Sequence, residues 1–458
     1  MNEVQKKFQS DIRTSLDDSS MQEKVQTAKK NYLRAFNQTS ANCVNLDQLR
    51  TNAEFIRKKS INNLDKYLIE FESNFIKRGG KIIWAQDNLE AVSEIIGLIN
   101  KSGEKLIVKS KSLTTEEIGL DEAFIQHGKE WVETDVGQYI LQLANDKPSH
   151  MVMPAIHQST EDIANLFNKK LGTDETLNRE GLVATASGLI REKYKRSGVG
   201  ITGANFLVAN PGAVAITENE GNAWITASRH KLHIVVAGID KVIPGFKDLG
   251  QLLPLLSMYG TGQSLTAYNS VITGPRKDAE PDGPDEMVVV LIDNGRSKVL
   301  AEESERSALH CIRCGACQYH DPIYQMIGGK AYDSTWIGPI GTVVLPHMKG
   351  FKDAGFFSEL SVLSSEDSEF CPVNISFNKL LMSLRRKGIK KQPGNSTKKM
   401  FYFLWKKFML KRDKPNWKNN RTRNYFLKNI FLRSPEEMRH FRPIAKQTFN
   451  ESYRKRFK

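Results

Sequence analysis

Cysteine is scarce in this chain of 458 residues: there are five, and three of them fall within seven positions, too tight for a useful disulfide framework but suited to metal ligation. A reducing compartment is implied. No stretch approaches the roughly 18 to 20 consecutive apolar residues of a membrane-spanning helix, and the opening Met1 to Lys7 has no apolar signal-peptide segment. These absences predict a cytoplasmic protein. Acidic residues are scarce in one region only. From Arg385 to the C-terminus, 24 Lys and Arg face 4 Asp and Glu, a net of +20; the whole chain carries +14, which leaves −6 for the first 384 residues. The basic character belongs to a tail. What is present, 40% hydrophobic residues over this length, can build two or three domains with a sizeable core.

Residues 1 to about 80 are polar, with Tyr32, Leu33, Phe36, Leu46, Leu49, Phe55 and Ile56 near helical spacing, which predicts a helical N-terminal arm. From 81 to 300, β-rich runs (Lys81 to Trp84, Leu106 to Val108, Trp131 to Thr134) alternate with helical patterns (Leu89 to Ile99, Thr115 to Gln126). That alternation argues for an α/β fold, a mostly parallel sheet flanked by helices. Between Gly200 and Ala237, strand-like runs are separated by turn signals at Pro211-Gly212 and Asn219 to Asn222. A cysteine segment occupies 301–392, and a basic, aromatic tail occupies 393–458.

Cys311, Cys314 and Cys317 form C-x2-C-x2-C, and Cys371, followed by Pro372, completes four thiolates. Three thiolates on a tight loop can cap three iron corners of a cube while a remote Cys closes the fourth. The spacing therefore predicts one [4Fe–4S] cluster in a small ferredoxin-like segment. In the bacterial two-cluster pattern the fourth Cys of each run serves the other cluster. Here that place is Asp321, and counting back from Cys371 gives Asp367, Ser364 and Ser361 where a second run would hold its ligands. All four are oxygen side chains, so a second cluster is expected to be absent. Tetrahedral zinc is the alternative for four thiolates, although zinc sites more often pair two short knuckles. Cys43 stands alone and reads as a buried, inert thiol.

These residues resemble the lactate utilization protein B family, the iron–sulfur subunit of a bacterial L-lactate oxidation system. Its members join a domain shared with lactate utilization protein C to a two-cluster segment. The resemblance covers most of residues 80–380. It rests on Lys109 to Glu117, Glu133 to Asp135, Pro148 to His150, Pro154 to His157, Gly200 to Phe206, Asn219 to Asn222, Gly260 to Gln263, Cys311 to Cys317 and Gly338 to Gly341. It implies a sheet similar to those of CoA-transferases and sugar isomerases. It also implies a non-catalytic electron-transfer subunit of an L-lactate dehydrogenase complex, partnered by the other lactate utilization subunits, which passes electrons as lactate becomes pyruvate. The chain departs from the family in its missing second thiolate set, and in Ala209 to Gly212, where members tend to carry an A-E-T-G turn. Those departures leave open a scaffold or binding subunit with a structural metal.

Gly198 to Gly203 matches G-x-G-x-x-G, but a helical run precedes it and a strand follows, the reverse of a dinucleotide fingerprint; a tight turn is the better reading. Lys109, Lys111, Glu116 and Glu117 follow an apolar run, at the sheet edge where α/β proteins bind ligands. With Asn205 and Asn219, the residues Lys109, Lys111 and Glu117 form a candidate pocket for a small anion such as a carboxylate. The plainer reading is a capped helix start, with Thr114 as cap and Glu117 closing a capping box. His150, His157, His230 and His233 read as structural. The segment 400–418, aromatic and basic, suits an anionic membrane surface and would place the protein peripherally at the inner membrane face; nucleic acid is a weaker match.

Overall fold

Ten strands follow one another along the chain: β1 (Lys81–Ala85), β2 (Leu106–Lys109), β3 (Glu130–Glu133), β4 (Val199–Gly203), β5 (Phe206–Asn210), β6 (Ala213–Glu218), β7 (Leu232–Gly238), β8 (Val242–Gly245), β9 (Tyr268–Ile272) and β10 (Glu286–Ile292). Six of them make a wholly parallel sheet in the order β1-β10-β7-β4-β2-β3. The runs richest in Val and Ile take its middle, where β7 and β10 are buried on both faces, as strands covered by helices must be. The expected α/β fold is therefore present. In this computed structural model residues 3–391 are described without a break; beyond them only 400, 403–404, 406–407, 410, 424–425, 445, 447 and 449–456 are described. Residues Met1–Lys391 and Gln392–Lys458 form separate units, and the second contains a short helix, Phe449–Arg456. The segment 400–418, singled out for membrane contact, falls mostly outside the described residues.

The run Gly200 to Ala237 divides between two sheets. β4 and β7 join the large one, whereas β5 and β6 form an antiparallel hairpin in a second sheet of order β8-β5-β6-β9. The G-x-G-x-x-G match proves to be β4 itself, not a turn. A Cβ on Gly200 would lie 2.1 Å from the Thr226 carbonyl oxygen and one on Gly203 would lie 2.7 Å from Ser112 Oγ, so close packing explains both glycines.

Four helices, α1 (Glu3–Asp17), α2 (Ser19–Ala41), α3 (Leu46–Asn62) and α4 (Leu64–Lys77), occupy the expected N-terminal arm. They are built into the main core. Tyr32, Phe36 and Phe71 share one cluster with Phe206 of the second sheet, Val289 of the large sheet, and Tyr319, Trp336 and Leu381 of the cysteine segment. Each such burial stabilises by about 1.5–3 kcal/mol. The other face of the large sheet packs against the helices Asn88–Ser102 and Leu120–Gln126. The run Thr115 to Gln126, expected as one helix, is broken at Gly119, whose φ of 72° is left-handed.

Candidate metal centre

The cysteine loop leaves a 3-10 turn, Arg306–His310, and ends in the short helix Ala316–His320. Between them Arg313 (φ 61°) and Gly315 (φ 76°) adopt left-handed backbone, which curls the loop. For Arg313 this costs of order 1 kcal/mol, and its backbone N–H donates to Cys311 Sγ at 3.3 Å. The curl brings Cys311, Cys314 and Cys317 to one recess that Cys371 also lines, walled by Met151, Ile312, Ile340, Val373, Ile375 and Phe377. Burial pushes the Cys314 and Cys317 thiols well up, and Cys371 to about 12. In such surroundings the thiolates need a metal cation to offset their charge. Cys43 is half-buried against the core and is not part of the recess. Among the described residues no three His, Cys, Asp or Glu side chains converge as ligands of a single metal ion.

Buried cations surround the recess. Arg57 of α3 is 1% exposed and donates to four backbone oxygens, those of Asp240, Val242, Leu309 and His310. The last two belong to the residues immediately before Cys311. Lys241 is also buried, and burial lowers its ammonium to about 8. Arg313 lies over the Trp336 ring, 3.3 Å from its centre, and pairs with Glu117 at 3.3 Å. Glu117 in turn takes Arg296 at 2.8 Å, Asn294 at 2.9 Å and the Trp336 indole N–H at 2.9 Å. These donors hold its carboxyl below the usual range against the opposing effect of burial.

Two buried donors beside the loop lack a well-formed hydrogen bond among the described residues. His150 Nδ1 accepts from Val152 N and Met153 N, both at 3.1 Å, so the ring proton sits on Nε2, which faces the Gly315 backbone. Burial drops this imidazole to about 3, so it is neutral. Gln318 accepts from Met151 N through Oε1, and its Nε2 is unpaired among the described residues. Both side chains lie against Gly315. Four soft donors, buried positive charge and N–H groups without a well-formed bond fit an anionic thiolate-bound cluster.

The four oxygen residues do not converge. Asp321 caps the helix Pro322–Ile327, accepting from Ile323 N at 3.0 Å and Tyr324 N at 3.3 Å; burial pushes its carboxyl up to about 7, and Asp367 adds to the shift. Ser361 Oγ accepts from Leu363 N at 3.1 Å, and Ser364 is exposed. Asp367 is buried and accepts from Ser368 N at 2.8 Å.

Nor do Lys109, Lys111, Glu117, Asn205 and Asn219 gather around one cavity. Lys109 is buried against Glu133 and Asp121, and Lys111 donates to the Val152 carbonyl. Asn205 accepts from Thr217 N at 2.9 Å, and Asn219 bonds to Gln263 at 2.8 Å. The helix Leu113–Glu117 is capped by Ser112, not Thr114, and Glu117 serves the arginines instead of a capping box. A cavity of about 680 Å³ lies where the cysteine segment meets the sheet edge, and of the five only Glu117 lines it. Its walls carry Glu116, Asp121, Glu133, Asp146 and Asp333 against Lys147, Lys330 and Lys349. Burial raises Glu116 to about 7 and Glu133 to about 8. His157, His230 and His233 are held by Asp146, Ser197 and Thr202 respectively.

Residues 68–292 match the LUD domain model. Lactate utilization protein B of Bacillus licheniformis is 38% identical over 387 residues, covering 84% of this chain and 81% of that protein. The chain belongs to the lactate utilization protein B family. The family's Bacillus subtilis member is 40% identical over 349 residues, 76% of this chain and 73% of that protein. A solved DUF162 family protein from Deinococcus radiodurans aligns with 50% of this chain and 98% of its own at 10% identity, with a TM-score of 0.29. Among the described residues no helix is long and apolar enough to cross a membrane. The residues that escaped sequence reasoning are Arg57, Lys241, Trp336 and the buried donors of His150 and Gln318. Only Arg313, within the cysteine loop, carried a positional signal.

Proposed function

We infer that this protein serves lactate utilization as an iron–sulfur electron-transfer subunit, relaying electrons during oxidation of L-lactate to pyruvate through one [4Fe–4S] cluster. Cys311, Cys314, Cys317 and Cys371 would hold it. The observation that carries the reading is that these four thiols, 60 positions apart at the extremes, line one apolar recess bordered by buried cations. When bound, the cluster supplies reversible one-electron chemistry. The chain supplies the rest: the apolar walls keep water from the sulfurs, Arg57 and Lys241 offset negative charge, and His150 and Gln318 present N–H groups towards the loop. Three thiols at C-x2-C-x2-C spacing with one remote Cys favour a multi-iron group, whose thiolates each bind a different metal, over one zinc ion, whose sites more often pair two short knuckles. Other lactate utilization subunits are the expected partners, supplying and removing the electrons.

The test is anaerobic purification with iron, sulfide and zinc analysis. About four irons and four sulfides per chain, with a bleachable visible absorbance, is the expected result. Stoichiometric zinc without sulfide would overturn the reading and leave the family's scaffold alternative.

A further inference from the structure

The surroundings of the thiol recess carry more positive charge than the protein neutralises. Four buried cations lie in one contiguous group, Arg57, Lys241, Arg296 and Arg313, and all four act on the carboxylate of Asp240. Only two carboxylates are woven into it. Arg296 pairs with both Asp240 and Glu117, and Arg313 with Glu117. Arg57 and Lys241 make no ion pair among the described residues. Arg57 is bonded wholly to backbone oxygens, two of them in the residues leading into Cys311. The same guanidinium holds the carbonyls of Asp240 and Val242, the two neighbours of Lys241 in the chain, so it ties Lys241 to the residues before Cys311. Four buried cations against two carboxylates leave an excess of two positive charges, which is costly to bury, and a fold that keeps that excess beside one thiol is arranged around an anion.

Four thiolates carry four negative charges and an oxidised [4Fe–4S] core carries two positive ones, so the bound group has a net charge of about −2, which becomes about −3 when one electron is added. Two uncompensated cations balance the first state and favour the second. We propose that Arg57 and Lys241 set the reduction potential of this site, raising it so that the cluster acts as an electron acceptor within the relay. The step is the addition of one electron to the oxidised cluster, supplied by the partner that oxidises the hydroxy acid, with no bond made or broken in this chain. The inference rests on the cluster reading above and adds which residues tune it.

The experiment is a redox titration of the full chain, purified anaerobically at pH 7 and followed by the electron paramagnetic resonance of the reduced cluster. Lys241→Met keeps the length of the side chain and removes its charge. It should lower the midpoint so that, at a fixed ambient potential, the reduced-to-oxidised ratio falls about tenfold, or about 59 mV for a one-electron couple. Lys241→Arg should restore most of the shift, which a purely structural role would not predict. Arg57→Gln should shift the midpoint the same way, and if that variant fails to fold the Lys241 pair still decides. Lys147→Met, an exposed lysine on the large cavity, should leave the midpoint in place. A Lys241→Met protein that keeps its iron and its midpoint would overturn the proposal while sparing the electron-transfer reading. A wild-type protein that binds no iron would overturn that reading first.

Discussion

Cys311, Cys314, Cys317 and Cys371 line one apolar recess, whereas Asp321, Ser361, Ser364 and Asp367, set out along the chain at the matching two-cluster positions, are spread over a helix cap, a turn, an exposed loop and a buried helix end. Equal spacing has led to unlike structures. The difference lies in what stands behind each set. The thiols are backed by Arg57 from α3, His150 from the loop after the helix Val136–Ala144, and Trp336 with Glu117 beneath Arg313. Asp321, Ser361 and Asp367 spend lone pairs on nearby backbone N–H groups, bonds that need no metal and that tie each residue to its own turn. A ligand set persists as a site when distant elements hold it, and dissolves into local caps when they do not.

The comparison breaks most sharply at Cys371. Cys371→Ser should abolish iron incorporation and visible absorbance altogether, measured by iron analysis after anaerobic purification; full retention of iron would mean that the fourth ligand has been misassigned. Next in size, Glu117→Ala leaves Arg313 and Arg296 buried with half their counter-charge. It should cost about 3–5 kcal/mol, read from the urea midpoint. A loss under 1 kcal/mol would show that the arginines relax without it.

Asp321 tests the other side. Its carboxyl is pushed up to about 7 from an ordinary 3.8, so the folded state favours the protonated form. The stability this contributes is full below about pH 4 and is lost as pH rises towards 7. Asp321→Asn can still cap the helix but cannot ionise. Its stability relative to wild type should therefore climb between pH 4 and 7 by at most about 4 kcal/mol, followed in metal-free protein by thermal unfolding. A constant difference across that range would contradict the buried-acid account. The smallest effect is expected at Ser364, where replacement by Ala should leave iron content unchanged and stability within about 0.5 kcal/mol; losing half the iron would show that this position still ligates.

Much of this architecture could be read from the chain. Val- and Ile-rich runs alternating with helical patterns announce the parallel sheet because strands buried on both faces have no room for polar residues. The cysteine spacing announces the loop because a curled C-x2-C-x2-C needs no distant help to face its thiols one way. The supporting layer was hidden for the opposite reason. Arg57 reaches the loop from more than 250 positions away, and nothing in the polar helix around it distinguishes it from Arg50 or Lys58. The anion pocket failed to assemble because Lys109 and Lys111, legible as sheet-edge lysines, are spent on Glu133 and the Val152 carbonyl. The second sheet escaped because the turn signals at Pro211-Gly212 and Asn219 to Asn222 separate strands without telling which of them share a sheet.

Glu117 stands in two places at once. It forms part of the wall of the 680 Å³ cavity and it grips Arg313 inside the cysteine loop, and Trp336, bonded to Glu117, likewise lines the cavity and carries Arg313 over its ring. The two regions therefore share hardware. An engineer enlarging the cavity, or lineages drifting in its lining, can vary the exposed Ile125 with little consequence elsewhere, but any change at Glu117 or Trp336 is also a change to the metal-binding loop. Cavity and loop are obliged to evolve together through those two side chains.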